Sequence, residues 1–167
     1  MSEIKNNLRR GQNRFRKWCI PLLRQHLGGH WMCVEGTCLD RELGVDWYQT
    51  HSDGKLDWCV RIWMSRPKPH FTGRLYHYDM PAVELEAGQR FNQILLGKPT
   101  PDMSCEAFIH NNQVTCYVAP FRAVWHCALY RFSELETFNL TRNNRSTKFI
   151  RIPHSMIGEV DCYQGTI

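Results

Sequence analysis

The sequence predicts an α+β (mixed α/β) protein: an N-terminal helix packed on a central mixed β-sheet, then a second helix and further strands. Three observations carry this. Apolar residues recur at helical spacing from Ile4 to Leu23 and the pattern stops at Gly28-Gly29. Strand-like runs with two-residue alternation follow between His30 and Tyr78. The 167 residues, 43% hydrophobic and 22% charged, are enough for one domain with a real core. We divide that domain into a basic amphipathic helix (1–29), a strand-hairpin core (30–80) and a helix with further strands (81–167).

Each element has a local reason. Ser2 can cap a helix beginning at Glu3. Ile4, Leu8, Gly11, Phe15, Trp18, Cys19, Leu22 and Leu23 form its apolar stripe. Pro21 should bend or interrupt it, and Gly28-Gly29 should end it. Residues His30 to Thr37 read as the first strand. Leu43 to Thr50 reads as the second, with Val45, Trp47 and Gln49 alternating against Asp46, Tyr48 and Thr50. Ser52-Asp53-Gly54 is a turn, and Leu56 to Met64 completes a hairpin. Pro67 and Pro69 break the run before a fourth strand, Phe71 to Tyr78. Residues 82–96 read as a helix ended by Pro99 and Pro101. Ala107 to Tyr117 reads as strand, a break at Asn111-Asn112, and strand. Val124 to Phe132 reads as another strand, or as a turn into a helix at Ser133-Glu134-Leu135. Asn139 to Ser146 reads as a polar, basic loop, and Lys148 to Ile152 as a last short strand closed by Pro153.

The charge is unevenly placed. Residues 1–30 hold seven basic residues (Lys5, Arg9, Arg10, Arg14, Arg16, Lys17, Arg24) and one acid, Glu3. The remainder holds 14 basic and 15 acidic residues, so the formal net charge of +5 arises in the helix. Such asymmetry points to an anionic partner, in the first place nucleic acid. Arg142 and Arg145, with Lys148, form a second basic cluster that can clamp a phosphate backbone. No run of residues has the length and apolarity of a membrane helix, and the basic start lacks an apolar signal segment. We therefore expect a cytoplasmic protein without a membrane partner. In that setting the eight cysteines read as reduced, buried thiols.

The hairpin carries the chemistry. Asp57, Cys59 and Arg61 are spaced by two, so they face one side of the third strand, and Asp46 lies on the strand before. Carboxylates beside a cation on neighbouring strands suit a divalent ion next to a phosphate: hard Mg2+ takes carboxylate oxygens, and the cation binds the phosphate.

Between residues 14 and 80 the order helix, strand, Asp-bearing strand, turn and cation-bearing strand resembles the PD-(D/E)xK nuclease superfamily. Gly44-Val45-Asp46 is similar to the superfamily's metal-binding aspartate segment, and Cys59-Val60-Arg61 falls where (D/E)-x-K stands. The resemblance implies a restriction-endonuclease-like core that cuts or processes DNA, less often RNA, with Mg2+, of a kind encoded by phages or mobile elements. It assigns Asp46, Asp57 and Arg61 as catalytic residues and Asp46 and Asp57 as metal ligands. Two departures stand out. Arg61 replaces lysine and does not readily give up a proton. Cys59 replaces a carboxylate, and a thiol is a poor Mg2+ ligand; Asp57, Glu42 or Asp40 would have to supply the missing acid.

Two other readings remain beside a nuclease. One is a non-catalytic DNA- or RNA-binding domain of the same fold, which Cys59 and Arg61 favour. The other is a small protein-interaction or inhibitor domain, or an assembly subunit, which aromatic and arginine richness also fits. Zinc is not expected, because His30, Cys33, Cys38 and His126-Cys127 lack the paired spacing of a structural site. The six tryptophans are expected mainly in the core, with those near cations able to stack on bases.

Overall fold

Helical structure is present from residue 10 in the computed structural model, which describes residues 10–34, 43–77, 86–142 and 144–167. The Ser2 cap, Lys5, Arg9, Cys38, Asp40, Glu42 and the expected helix start at 82 lie outside the described residues. The helical residues 10–14 run into a π-turn, Phe15–Cys19, and then into α1, Ile20–Leu27. The Ile20 N–H donates to the Phe15 carbonyl across the wide turn. Pro21 sits in the first turn of α1. A proline has no N–H for the carbonyl four residues back and its ring crowds that carbonyl, so the helix opens by one residue just before it. Gly28 and Gly29 then take φ of 68° and 80° and end the helix. At Gly29 a Cβ would also lie 2.9 Å from both Gln49 Cγ and the Thr50 carbonyl oxygen.

The remaining elements, in chain order, are β1 (His30–Cys33), β2 (Trp47–His51), β3 (Gly54–Trp63), β4 (His70–His77), α2 (Glu86–Leu95), β5 (Met103–His110), β6 (Gln113–Pro120), α3 (Phe121–Tyr130), β7 (Thr137–Arg142), β8 (Arg145–Pro153), α4 (His154–Ile157) and β9 (Asp161–Thr166). The architecture is α+β, and no described helix is long and apolar enough to cross a membrane. The chain divides into two compact units, one of residues 1–68, 101–119 and 161–167, the other of 69–100 and 120–160.

The first unit is a six-stranded sheet in the order β1-β2-β3-β5-β6-β9. It is mixed: β1, β2 and β3 form an antiparallel meander, and β5 joins β3 in parallel. Trp47 faces Trp58 across the hairpin, and Gln49 faces Leu56. The expected alternation holds, since Val45, Trp47 and Gln49 are buried while Asp46, Tyr48 and Thr50 are partly exposed. One sheet face packs on Phe15, Cys19, Ile20, Leu22 and Leu23 of the helical segment. None of the seven described cysteines is in a disulfide. Cys19, Cys105 and Cys116 meet in this core. Hydrogen bonds from Cys105 and Cys19 pull the Cys116 thiol below the ordinary range, and bonding to Cys116, together with burial, pushes its neighbours up.

The second unit has an antiparallel sheet, β4-β8-β7, with α2 and α3. Three expectations are corrected here. Residues 124–132 are not a strand: α3 occupies 121–130, because Phe121, Val124, Trp125 and Ala128 recur at helical spacing and bury one side, and the helix expected at Ser133-Glu134-Leu135 is a single 3-10 turn over Phe132–Glu134. The expected loop at 139–146 is instead the end of β7, a turn and the start of β8, with Asn144 at φ 62°. Thr137-Phe138-Asn139-Leu140-Thr141 does alternate, with Phe138 and Leu140 half-buried between exposed polar residues. The last short strand is also longer than expected, since β8 covers 145–153. β9 has no apolar alternation in sequence and forms by pairing with β6.

Candidate functional site

The hairpin brings the predicted catalytic residues together at β3 but gives Asp46 and Asp57 structural partners. β2 ends at Trp47, so the Val60 amide has no backbone acceptor opposite it. The Asp46 carboxylate takes that place, with Oδ2 accepting from Val60 N–H at 2.7 Å. The Asp46 N–H donates to the Trp58 carbonyl at 2.8 Å, and its own carbonyl accepts from Val34 N–H at 2.9 Å. Asp46 thus splices β1, β2 and β3 together where the ladder would fray.

Asp57 is fastened from the other side. Its N–H donates to Asp102 Oδ2 at 2.7 Å, and its carbonyl accepts from Asp102 N–H at 2.8 Å. The Asp57 Oδ1 atom is enclosed, has no hydrogen-bond donor among the described residues, and lies 3.8 Å from the Lys55 ammonium. Cys59 and Arg61 register with Ser104 and Glu106 of the parallel strand β5. Those two side chains are 5% and 2% exposed, so the face that carries Arg61 continues into buried polar residues. Glu106 escaped the sequence reading, although a lone acid in Cys105-Glu106-Ala107-Phe108 was a usable signal. Asp102 had no signal, since only the fold brings it to Asp57. Among the described residues no group of three or more His, Cys, Asp or Glu has the geometry to hold a metal ion. His30 and Cys33, three residues apart on β1, face opposite ways. The Cys127 thiol donates to the Met156 carbonyl.

The basic helix is a different kind of surface. Arg10, Arg16, Lys17 and Arg24 are exposed and Arg14 is partly so. No acidic residue occurs from 10 to 34, and none of these five cations has a carboxylate partner among the described residues. The Arg16 guanidinium lies 5.3 Å from the centroid of Trp47, and Lys17 Nζ lies 5.7 Å from Trp18. Arg16, Ile20, Pro21 and Arg24, with Trp31 of β1 and Trp47, line a groove of about 450 Å³. Trp31 is half-buried and held in place: its indole N–H donates to the Gly28 carbonyl at 3.1 Å, and its ring packs 5.0 Å from Trp58.

Of the second basic cluster, Arg142 is exposed at the β7–β8 turn and registers with Arg145, whose backbone alone is described. No protein-family model, curated protein or solved structure matches this chain.

Proposed function

We propose that this chain is an intracellular nucleic-acid-binding protein that grips the phosphate backbone with Arg10, Arg14, Arg16, Lys17 and Arg24 and takes DNA in preference to RNA. The observation that carries this reading is the acid-free stretch of five cations on an ordered helix. Like charges at i, i+4, as at Arg10 and Arg14, weaken a helix. A polyanion reverses that cost and releases counterions. Fluorescence anisotropy with a labelled 20-base-pair DNA between 50 and 200 mM salt tests it. Affinity should fall steeply with salt, with a log–log slope of roughly −3 to −5 for about four or five phosphate contacts. The triple variant Arg10→Glu, Arg14→Glu, Lys17→Glu should bind far more weakly and with a shallower slope. Absence of wild-type binding at 50 mM salt, or equal binding by the triple variant, refutes the reading; an RNA competitor of the same length checks the preference.

A second reading is favoured by one observation: Asp57, Cys59 and Arg61 share a face of β3 beside Asp46, in the order of the PD-(D/E)xK superfamily and its restriction-endonuclease-like core. Asp57 fits a hard cation, since its enclosed Oδ1 lacks a hydrogen-bond donor among the described residues. Asp46 fits less well, with Oδ2 given to Val60. On this reading Asp46 and Asp57 hold Mg2+, which supplies charge neutralisation and an activated water, while Arg61 binds the phosphate. Cleavage of single- or double-stranded DNA with Mg2+ or Mn2+, lost in Asp57→Asn, supports it; no cleavage by the wild type removes it.

A further inference from the structure

We infer that the groove between α1 and β1 is a site for an unpaired nucleobase, so that the preferred ligand is single-stranded nucleic acid; this rests on the backbone-binding reading and sharpens it. Phosphates explain the arginines but not what lies between them. Arg16 and Arg24 stand eight residues apart on one helix, about 12 Å along its axis. The floor between them is Ile20, Pro21, Trp31 and Trp47, with no carboxylate; Ile20 and Trp47 are almost wholly buried, so Pro21 and the half-buried Trp31 supply its accessible apolar and aromatic surface. A duplex offers such a helix sugar, phosphate and base edges, but its base faces stay stacked on one another and cannot lie against that floor. An unpaired base within a single strand has both parts: the phosphates on its 5′ and 3′ sides, one for each arginine, and a π-face for an indole. The groove's volume, about 450 Å³, lies in the range of sites that enclose small ligands. Trp31 suits the role because its N–H is already satisfied by the Gly28 carbonyl. It therefore contributes a ring surface and asks for no specific hydrogen bond, which makes the site tolerant of base identity. The positive φ of Gly28 and Gly29 turns the chain sharply from α1 into β1 and so sets Trp31 against the helix.

The test compares anisotropy of a labelled 15-nucleotide oligothymidine and a 15-base-pair duplex with the full chain at 100 mM salt. Wild type, Trp31→Leu, Trp31→Phe and Arg16→Ala/Arg24→Ala are measured, with far-UV circular dichroism confirming each fold. The expected result is preference for the single strand, a roughly 5- to 100-fold loss of that affinity in Trp31→Leu, near-wild-type binding by Trp31→Phe, and duplex binding little changed by either. Arg16→Ala/Arg24→Ala should weaken the single strand more than the duplex. If Trp31→Leu folds and binds both ligands as wild type does, or if every variant lowers both equally, the groove is not a base site, although backbone binding stands. If Trp31→Leu does not fold, the double arginine variant decides: a fall in the ratio of single-strand to duplex affinity supports the site, and an unchanged ratio overturns it. If the wild type binds neither ligand at 100 mM salt and still neither when the measurement is repeated at 50 mM, the backbone-binding reading itself falls.

Discussion

Replacing Gln49 by methionine should destabilise the first unit severely, for reasons that can be counted atom by atom. Gln49 is 1% exposed. Its Oε1 accepts from the Trp58 indole N–H at 3.0 Å. Its Nε2 reaches the Leu27 and Gly28 carbonyls at 3.2 and 3.1 Å and lies 2.7 Å from His51 Nε2. Those two carbonyls are among the groups that the end of α1 leaves without intrahelical partners. One side chain therefore closes the helix terminus and satisfies a buried tryptophan. Methionine keeps the volume and removes every polar contact. Stranding the Trp58 N–H costs about 1–3 kcal/mol, and losing the bonds to the carbonyls about 1 kcal/mol each. The expected loss is roughly 3–5 kcal/mol, a large share of a typical domain's stability.

Urea unfolding followed by tryptophan fluorescence measures this loss well, since five of the six tryptophans lie in the first unit. The informative partner is Trp58→Phe, which removes the donor that Gln49→Met strands. The double variant should be more stable than the sum of the single losses predicts, by at least about 1 kcal/mol. A Gln49→Met variant within about 0.5 kcal/mol of wild type, or strict additivity, refutes the reasoning.

Four further outcomes are expected. Asp46→Ala should cost about 1–3 kcal/mol in metal-free urea unfolding, because the Val60 amide loses its acceptor, whereas Asp46→Asn should cost less; equal stability of Asp46→Ala and wild type would show that the bond contributes nothing. Gly73→Ala should destabilise the second unit strongly, since its Cβ would fall 2.6 Å from Trp125 Cη2, and Trp125→Leu in the same chain should restore part of the lost melting temperature. Burial pulls the His154 imidazole from 6.5 down to about 4. Its neutral form is favoured in the fold, so stability present above pH 6.5 is lost as pH falls towards 4, by about 2 kcal/mol once its partial exposure is allowed for; His154→Phe should flatten that limb of the melting-temperature profile. Finally, iodoacetamide should label the exposed Cys162 in the folded chain, with Cys19, Cys105 and Cys116 reacting only after unfolding, as read by peptide mass spectrometry.

Most elements whose own side chains pattern their burial were legible in the sequence; α3, whose apolar run also fits a strand, was the exception. The helix through Leu27, its glycine stop, the hairpin centred on Ser52-Asp53-Gly54 and the break at Asn111-Asn112 all follow from local rules of period and φ. The strand expected at Lys148 to Ile152 lies within β8, but β9, β7 and the first residues of β8 were not read as strands; β9 in particular is a polar strand specified by its partner's hydrogen bonds rather than by its own alternation. The candidate site divides the same way. By itself the sequence determined that the cations gather in one acid-free segment and that Asp57, Cys59 and Arg61 share a face, since charge count and two-residue periodicity are properties of the chain. Only the tertiary structure decided that Asp46 is spent partly on the Val60 amide, that Glu106 stands beside Arg61, and that Trp31 and Trp47 floor a groove between Arg16 and Arg24. Those are meetings of residues from different elements, fixed by strand register and helix packing, and no local spacing encodes them.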